Sequence, residues 1–151
     1  MTSDPASSPQ PSCELRQALP TDAAAIHALM RPFVSQHLLL ARSEAEIIEL
    51  TRHGFVAMQG ERCIGFAAVE IYSPKLAELQ CLAVHPEAQR LGVGRQLVGQ
   101  CIERARSLGV MEVLAISSSE EFLRSCGFDF SLPDQKKALF YQIRERSFDD
   151  R

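Results

Sequence analysis

Much of what would mark a function class is missing from these 151 residues. The five cysteines (Cys13, Cys63, Cys81, Cys101 and Cys126) are odd in number and never in C-x-x-C spacing. That excludes a ribbon-type zinc site and argues against a disulfide framework, so the thiols read as mostly buried groups in a reducing, cytoplasmic setting. The four histidines (His27, His37, His53 and His85) show no pairing at helical or finger spacing, and no metal is expected. Basic excess is lacking too. A net charge of −3 and a pI near 5.8 argue against a nucleic-acid partner. No apolar run approaches a membrane span, so no membrane partner is expected either. The amino terminus has Ser, Pro and Asp where a signal peptide needs basic and then apolar residues, which argues against secretion.

What is there is the composition of one globular domain, with 46% hydrophobic and 23% charged residues. Residues 1–13 hold three prolines and four serines and read as a flexible tail. The folded domain is expected over 14–147, with 148–151 as a short second tail. An extended piece at 14–18 precedes a helix capped by Thr21 or Asp22, running through Ala23, Ile26, Leu29 and Met30 and ended by Pro32. Ser43-Glu44-Ala45-Glu46 is a capping box that opens a second helix, closed by Gly54. The runs 55–58 and 63–72, joined by Gln59-Gly60-Glu61-Arg62, read as a hairpin, and 76–84 as a third strand.

The clearest helical period spans 93–108, where Leu97, Val98, Cys101, Ile102, Ala105 and Leu108 share one face and Gly109 supplies the stop. Residues 110–116 read as a strand buried on both faces, 120–126 as a short helix stopped by Gly127, and 138–143 as a closing strand. Together these elements predict an α/β (α+β) domain, with helices on both faces of a single mixed sheet. No internal repeat is visible.

Chemistry concentrates in Leu82-Ala83-Val84-His85-Pro86-Glu87-Ala88-Gln89-Arg90-Leu91-Gly92-Val93-Gly94-Arg95. A strand runs into a loop that opens directly into the long helix. Unpaired amides and the partial positive charge of a helix start suit a phosphate or pyrophosphate. Gly92 and Gly94 would let the backbone come close to such an anion, and Arg90 and Arg95 add charge. The segment is neither a P-loop, lacking G-K-[ST], nor a dinucleotide fingerprint, lacking the third glycine. A glycine-bearing turn with no ligand is the bland alternative.

Gln89-Arg90-Leu91-Gly92-Val93-Gly94 after Leu82-Ala83-Val84-His85-Pro86 resembles the Q/R-x-x-G-x-G/A acyl-CoA motif of the GNAT N-acetyltransferase superfamily. Phe122-Leu123-Arg124-Ser125-Cys126-Gly127-Phe128 resembles its short helix ending in Gly-Phe. Three further segments resemble the acetyltransferase domain of bacterial N-acetylglutamate synthase: Leu39 to Ser43, Ala77 to Pro86 and Leu132 to Leu139. The chain has no room for the amino-acid-kinase-like domain that usually precedes that domain and binds arginine, so a stand-alone version is expected.

The resemblance implies the GNAT fold, a mostly antiparallel sheet in which strands 76–84 and 110–116 splay apart. It implies acetyl-CoA as cosubstrate, no metal, and direct acetyl transfer to a small-molecule amine. The acceptor it suggests is the α-amine of L-glutamate, for arginine biosynthesis. The pyrophosphate would lie on the amides of residues 90–95, and the pantetheine arm along Leu82 and Val84. The thioester oxygen would face the amide near Cys81 or Leu82. Glu78 would act as base, directly or through water, and Ser117 would donate to the leaving sulfur.

Arg42 and Arg144 match carboxylate-binding arginines. Two departures from the pattern stand out: Leu123 occupies the slot of the usual tyrosine acid, and Arg146 that of a serine. Another small amine or a protein amino terminus stays open as acceptor, as does a non-catalytic acyl-CoA-binding regulatory module. Homodimerisation is expected by analogy alone.

Overall fold

A computed structural model describes residues 13–134 and 138–144. Its five strands form one sheet in the order β1 (Glu14–Gln17), β2 (Gly54–Gln59), β3 (Arg62–Ile71), β4 (Leu76–Val84) and β5 (Glu112–Ala115). The first four strands are antiparallel neighbours, and β5 runs parallel to β4. Helices α1 (Ala23–Ser35) and α2 (Glu44–Leu50) pack on one face. Helices α3 (Val93–Ser107) and α4 (Glu120–Ser125) cover the other.

The central strand β3 shows why. Its continuous apolar run alternates between two cores, as a strand covered on both sides must. Phe66 and Ala68 meet Ile26, Met30 and Ile47, while Ile64, Ala67 and Val69 meet Leu97, Val98 and Cys101. Each large side chain so buried contributes roughly 1.5–3 kcal/mol. Gly65 sets how closely α3 settles: a Cβ there would stand 2.9 Å from Leu97 Cδ1 and 3.1 Å from Val93 Cγ1. The capping box of α2 forms as expected, with Ser43 Oγ accepting from the Glu46 N–H at 3.1 Å and Glu46 Oε1 from the Ser43 N–H at 3.2 Å.

Four expectations need correction. Pro32 lies inside α1 rather than ending it, because so near the helix end its missing N–H forfeits a single bond. The helix runs on to Ser35, and His37 just beyond it holds a left-handed φ of 59° while Leu38 N–H bonds to Phe33 C=O at 2.9 Å. Asp22 makes no side-chain cap to α1, since its carboxylate is taken by Arg16 at 2.8 Å and by Leu19 N–H at 2.7 Å.

The strand of 110–116 is shorter and is not buried on both faces. As the sheet's edge, β5 turns Val113 and Ala115 to the core and leaves Leu114 and Ile116 exposed. The stretch 138–143 forms no strand and lies exposed, Leu139 at 91%. Strand propensity is a fitness for a pleated, half-buried surface, and this stretch rests on none. Of the expected tail at 1–13 all but residue 13, and the whole of the expected tail at 148–151, lie outside the described residues. No described helix is long and apolar enough to cross a membrane.

Candidate active site

The site begins with a defect in β4. The β3–β4 register pairs Phe66 with Ala83 and then Ala68 with Gln80, so Cys81 and Leu82 together face the single residue Ala67. Such a bulge leaves an extra residue outside the ladder and bends the strand. Cys81 carries the bend with φ 58°, an uncommon conformation for a residue with a Cβ. It gives the site a main-chain N–H next to a break in the sheet, a suitable donor for an oxygen that gains charge in a reaction.

The break lies on the other side of β4. β5 pairs only with Leu76–Leu79, and from Gln80 to Val84 that edge of β4 has no strand beside it among the described residues. β4 and β5 therefore part at the bulge, as the splayed pair was expected to do. An extended, amide-bearing chain can add along such an edge.

At the end of β4 the chain enters a 3-10 turn, Pro86–Leu91, capped by His85 Nδ1, which accepts from Glu87 N–H at 3.2 Å. Gly92 then opens α3 from a left-handed φ of 75° with no side-chain cap, so the first-turn amides have no partner from that residue's side chain. A Cβ on Gly92 would meet nothing within 4 Å. Gly94 has a packing role as well: a Cβ there would meet Phe122 Cζ at 3.3 Å, so its smallness serves α4. Leu91 is exposed at this mouth and Val93 is buried under α3.

Gln89 Nε2 donates to Val84 C=O at 3.1 Å, tying the turn to the strand end, while the exposed Arg90 stays at the mouth. Arg95 contributes only its backbone there. Its guanidinium is committed to α4, donating to Ser125 C=O and Ser125 Oγ, both at 2.9 Å.

On the α2 side of the bulge lies a cavity of about 320 Å³ whose lining includes Arg42, Glu46, Glu49, Arg52, Glu70 and Gln80. Arg42 Nη2 donates to Gln80 Oε1 at 3.0 Å, and Arg42 Nη1 stands 3.6 Å from Glu46 Oε2. Its Nε is buried without a partner among the described residues. A buried donor of that kind calls for an acceptor. Arg42 also lies against Cys81, whose thiol is pushed up by burial while the guanidinium pulls it back.

The amide of Gln80, itself only 8% exposed, continues the chain of contacts. Its Nε2 donates to Glu70 Oε2 at 2.5 Å and Tyr72 Oη at 3.0 Å, and stands 3.4 Å from Glu78 Oε1. Tyr72 Oη donates to Glu78 Oε1 at 2.9 Å. Burial and that hydrogen bond push the Tyr72 phenol up to about 12, so it stays protonated.

Arg42, Glu78, Cys81 and the start of α3 are thus ranged along one strand and its exit. Ser117, two residues past β5, is exposed and its Oγ accepts from Ser119 N–H at 2.9 Å, leaving its own proton to donate. Arg144 is not brought to the cavity: it is exposed, on the stretch that forms no strand. Glu70, Tyr72 and Gln80 were missed in the sequence. The short turn at 73–75 was the available signal, because it fixes Glu70 opposite Glu78 in the hairpin register.

Comparison with known proteins fits this geometry. Residues 22–128 match the Acetyltransferase (GNAT) family. An uncharacterized N-acetyltransferase of Chlorobaculum tepidum is 34% identical over 114 residues, covering 76% of this chain and 74% of its own. The amino-acid acetyltransferase of Neisseria meningitidis is 33% identical over 124 residues, covering 80% of this chain; that match spans only 28% of the longer protein. Among solved structures, N-acetylglutamate synthase from Neisseria gonorrhoeae, complexed with coenzyme A and N-acetyl-glutamate, superposes with a TM-score of 0.69 at 30% identity, over 76% of this chain and 27% of that one. With the family match spanning 22–128 and that 34% identical relative covering 76% of the residues, the chain belongs to the GNAT family of N-acetyltransferases.

Proposed function

We propose that the protein moves an acetyl group from acetyl-CoA to the α-amine of an amino acid, with L-glutamate as acceptor. The observation that carries this reading is Arg42, held by Gln80 against the β4 bulge with a buried, unpartnered Nε. A fixed guanidinium with an unmet donor suits a carboxylate, and at the bulge it would hold that carboxylate beside the thioester. The likeness to amino-acid acetyltransferases supports the same choice.

Acetyl-CoA supplies the acyl group. The residues that suit its binding are the first-turn amides of α3 behind Gly92 for the pyrophosphate, and the open edge of Leu82 and Val84 for the pantetheine amides. The N–H at Cys81 or Leu82 would meet the thioester oxygen. Glu78 takes the proton the ammonium must lose before attack, and the Ser117 hydroxyl donates to the departing sulfur. Direct transfer is the course the family likeness supports, and the buried Cys81 thiol, pushed up in pKa, makes a poor nucleophile beside it.

A panel of amino acids, free polyamines and peptides with acetyl-CoA tests this reading. Turnover of glutamate above the other amines is expected, and glutamate turned over no faster than the rest overturns it. Arg42→Ala should raise the glutamate KM by roughly ten- to a hundredfold, as for a lost hydrogen bond to a charged group. A second reading has one observation behind it: Glu46, Glu49 and Glu70 line the same cavity, which suits a more cationic small amine. Preference for a diamine in the panel would select it.

A further inference from the structure

Glu78, the carboxylate assigned above as base, does not line the cavity, whereas Glu70 does. The two face each other directly across the β3–β4 register. Tyr72 Oη stands between them, 2.9 Å from Glu78 Oε1 and 3.4 Å from Glu70 Oε2. Gln80 Nε2 braces all three, and the same side chain holds Arg42 at its other end.

We propose that Glu70 receives the acceptor's proton and that Tyr72 relays it to Glu78. This rests on the acetyl-transfer reading but not on glutamate as the acceptor.

In the step, an N–H bond of the ammonium breaks and an O–H bond forms on Glu70. Glu70 passes that proton to Tyr72 Oη as the phenol's own proton goes to Glu78, so Glu70 and Tyr72 are restored and Glu78 ends protonated. The neutral amine then attacks the thioester carbon, the C–N bond forms and the C–S bond breaks; the Ser117 hydroxyl gives its proton to the sulfur, making the thiol, and takes the nitrogen's surplus proton in return. The high pKa of Tyr72 suits this role, because a relay must hold its proton until another arrives. Gln80 is a positioning residue: one buried carboxamide fixes the arginine and the carboxylate at opposite ends.

The test uses Glu70→Gln, Glu78→Gln, the double variant and Tyr72→Phe, each checked for an unchanged melting temperature. It is run on whichever panel amine the wild type acetylates fastest, so a wrong acceptor and a wrong relay are told apart. Each glutamine variant should lower kcat/KM about a hundredfold. The double variant should lose no more than either single, because the groups act as one unit. Tyr72→Phe should fall with them, and the double variant, with neither carboxylate left, should lose the acidic limb of the pH–rate profile. Glu70→Gln with activity within about threefold of wild type and an unshifted profile overturns the relay, as do losses that multiply in the double variant.

Discussion

Gly65 gives the sharpest test of how packing supports the site. It lies on the α3 face of β3, and a Cβ there would stand 2.9 Å from Leu97 Cδ1, 3.1 Å from Val93 Cγ1 and 3.2 Å from Ala57 Cβ. Leu97, Val93 and Ala57 are all fully packed, so Gly65→Ala must lift α3 from the sheet. Overpacking of this kind costs about 1–3 kcal/mol. The alanine recovers about 0.5–1 kcal/mol by narrowing the unfolded ensemble. A net loss of about 1–2 kcal/mol lowers the melting temperature by about 2–8 °C for a chain of this size.

Val93 is also the first residue of α3, so the lift displaces the amides proposed to grip the pyrophosphate. The acetyl-CoA KM should rise while kcat changes little. Gly99→Ala on the same helix is the control: its Cβ meets nothing within 4 Å, and helix propensity alone should stabilise it by about 1 kcal/mol. Urea denaturation of both variants reads the difference. Gly65→Ala unfolding with the wild type, or Gly99→Ala unfolding earlier, refutes the reasoning.

Ser43→Ala removes one half of the α2 capping box and should cost about 1 kcal/mol in a thermal melt, with the acceptor KM rising because Arg42 precedes that cap. The two hydrogen bonds from Arg16 hold the Asp22 carboxyl below its usual value, against the opposing effect of burial. The folded state therefore binds this proton less readily than the unfolded chain. Its stabilisation is complete above the ordinary carboxylate range near pH 4 and fades as pH falls through the lowered value. Asp22→Asn should lose about 1 kcal/mol at pH 7 and converge on the wild type in acid, as denaturation midpoints across pH will show. Burial pushes the Cys101 thiol up to about 12 and the Cys63 thiol up to about 11. Iodoacetamide at pH 8 should therefore spare both in the folded protein, and peptide mapping that finds Cys101 modified as fast as the half-buried Cys126 contradicts this.

Local signals gave the elements and long-range pairing gave the site. The Ser43–Glu46 box, the helix from Val93 and the strand from Leu76 were legible because capping geometry and apolar period are written within a few residues. The end of α1 was not, since His37 rather than a glycine takes the left-handed turn. Glu78 and Arg42 could be picked out by resemblance, yet the bond of Arg42 to Gln80 joins residues 38 apart, and no local pattern encodes it. Gly94 and Arg95 show the converse. Gly94 ends the motif and Arg95 follows it, but packing against Phe122 and hydrogen bonding to Ser125 occupy them in part.

The doubled residue opposite Ala67 also bears on the phase of β4. Upstream of it Glu78 and Gln80 point toward α1 and α2, and beyond it Ala83 does too; the inserted position is what reconciles an even with an odd step. Deleting one amino acid there would leave Gln80 and Ala83 two apart, as a regular strand has them, so every side chain would keep its face and only the bulge would be lost. What the extra residue adds is therefore not the facing of the strand but one main-chain group turned out of the ladder at Cys81, which a shorter strand would have spent on its neighbour.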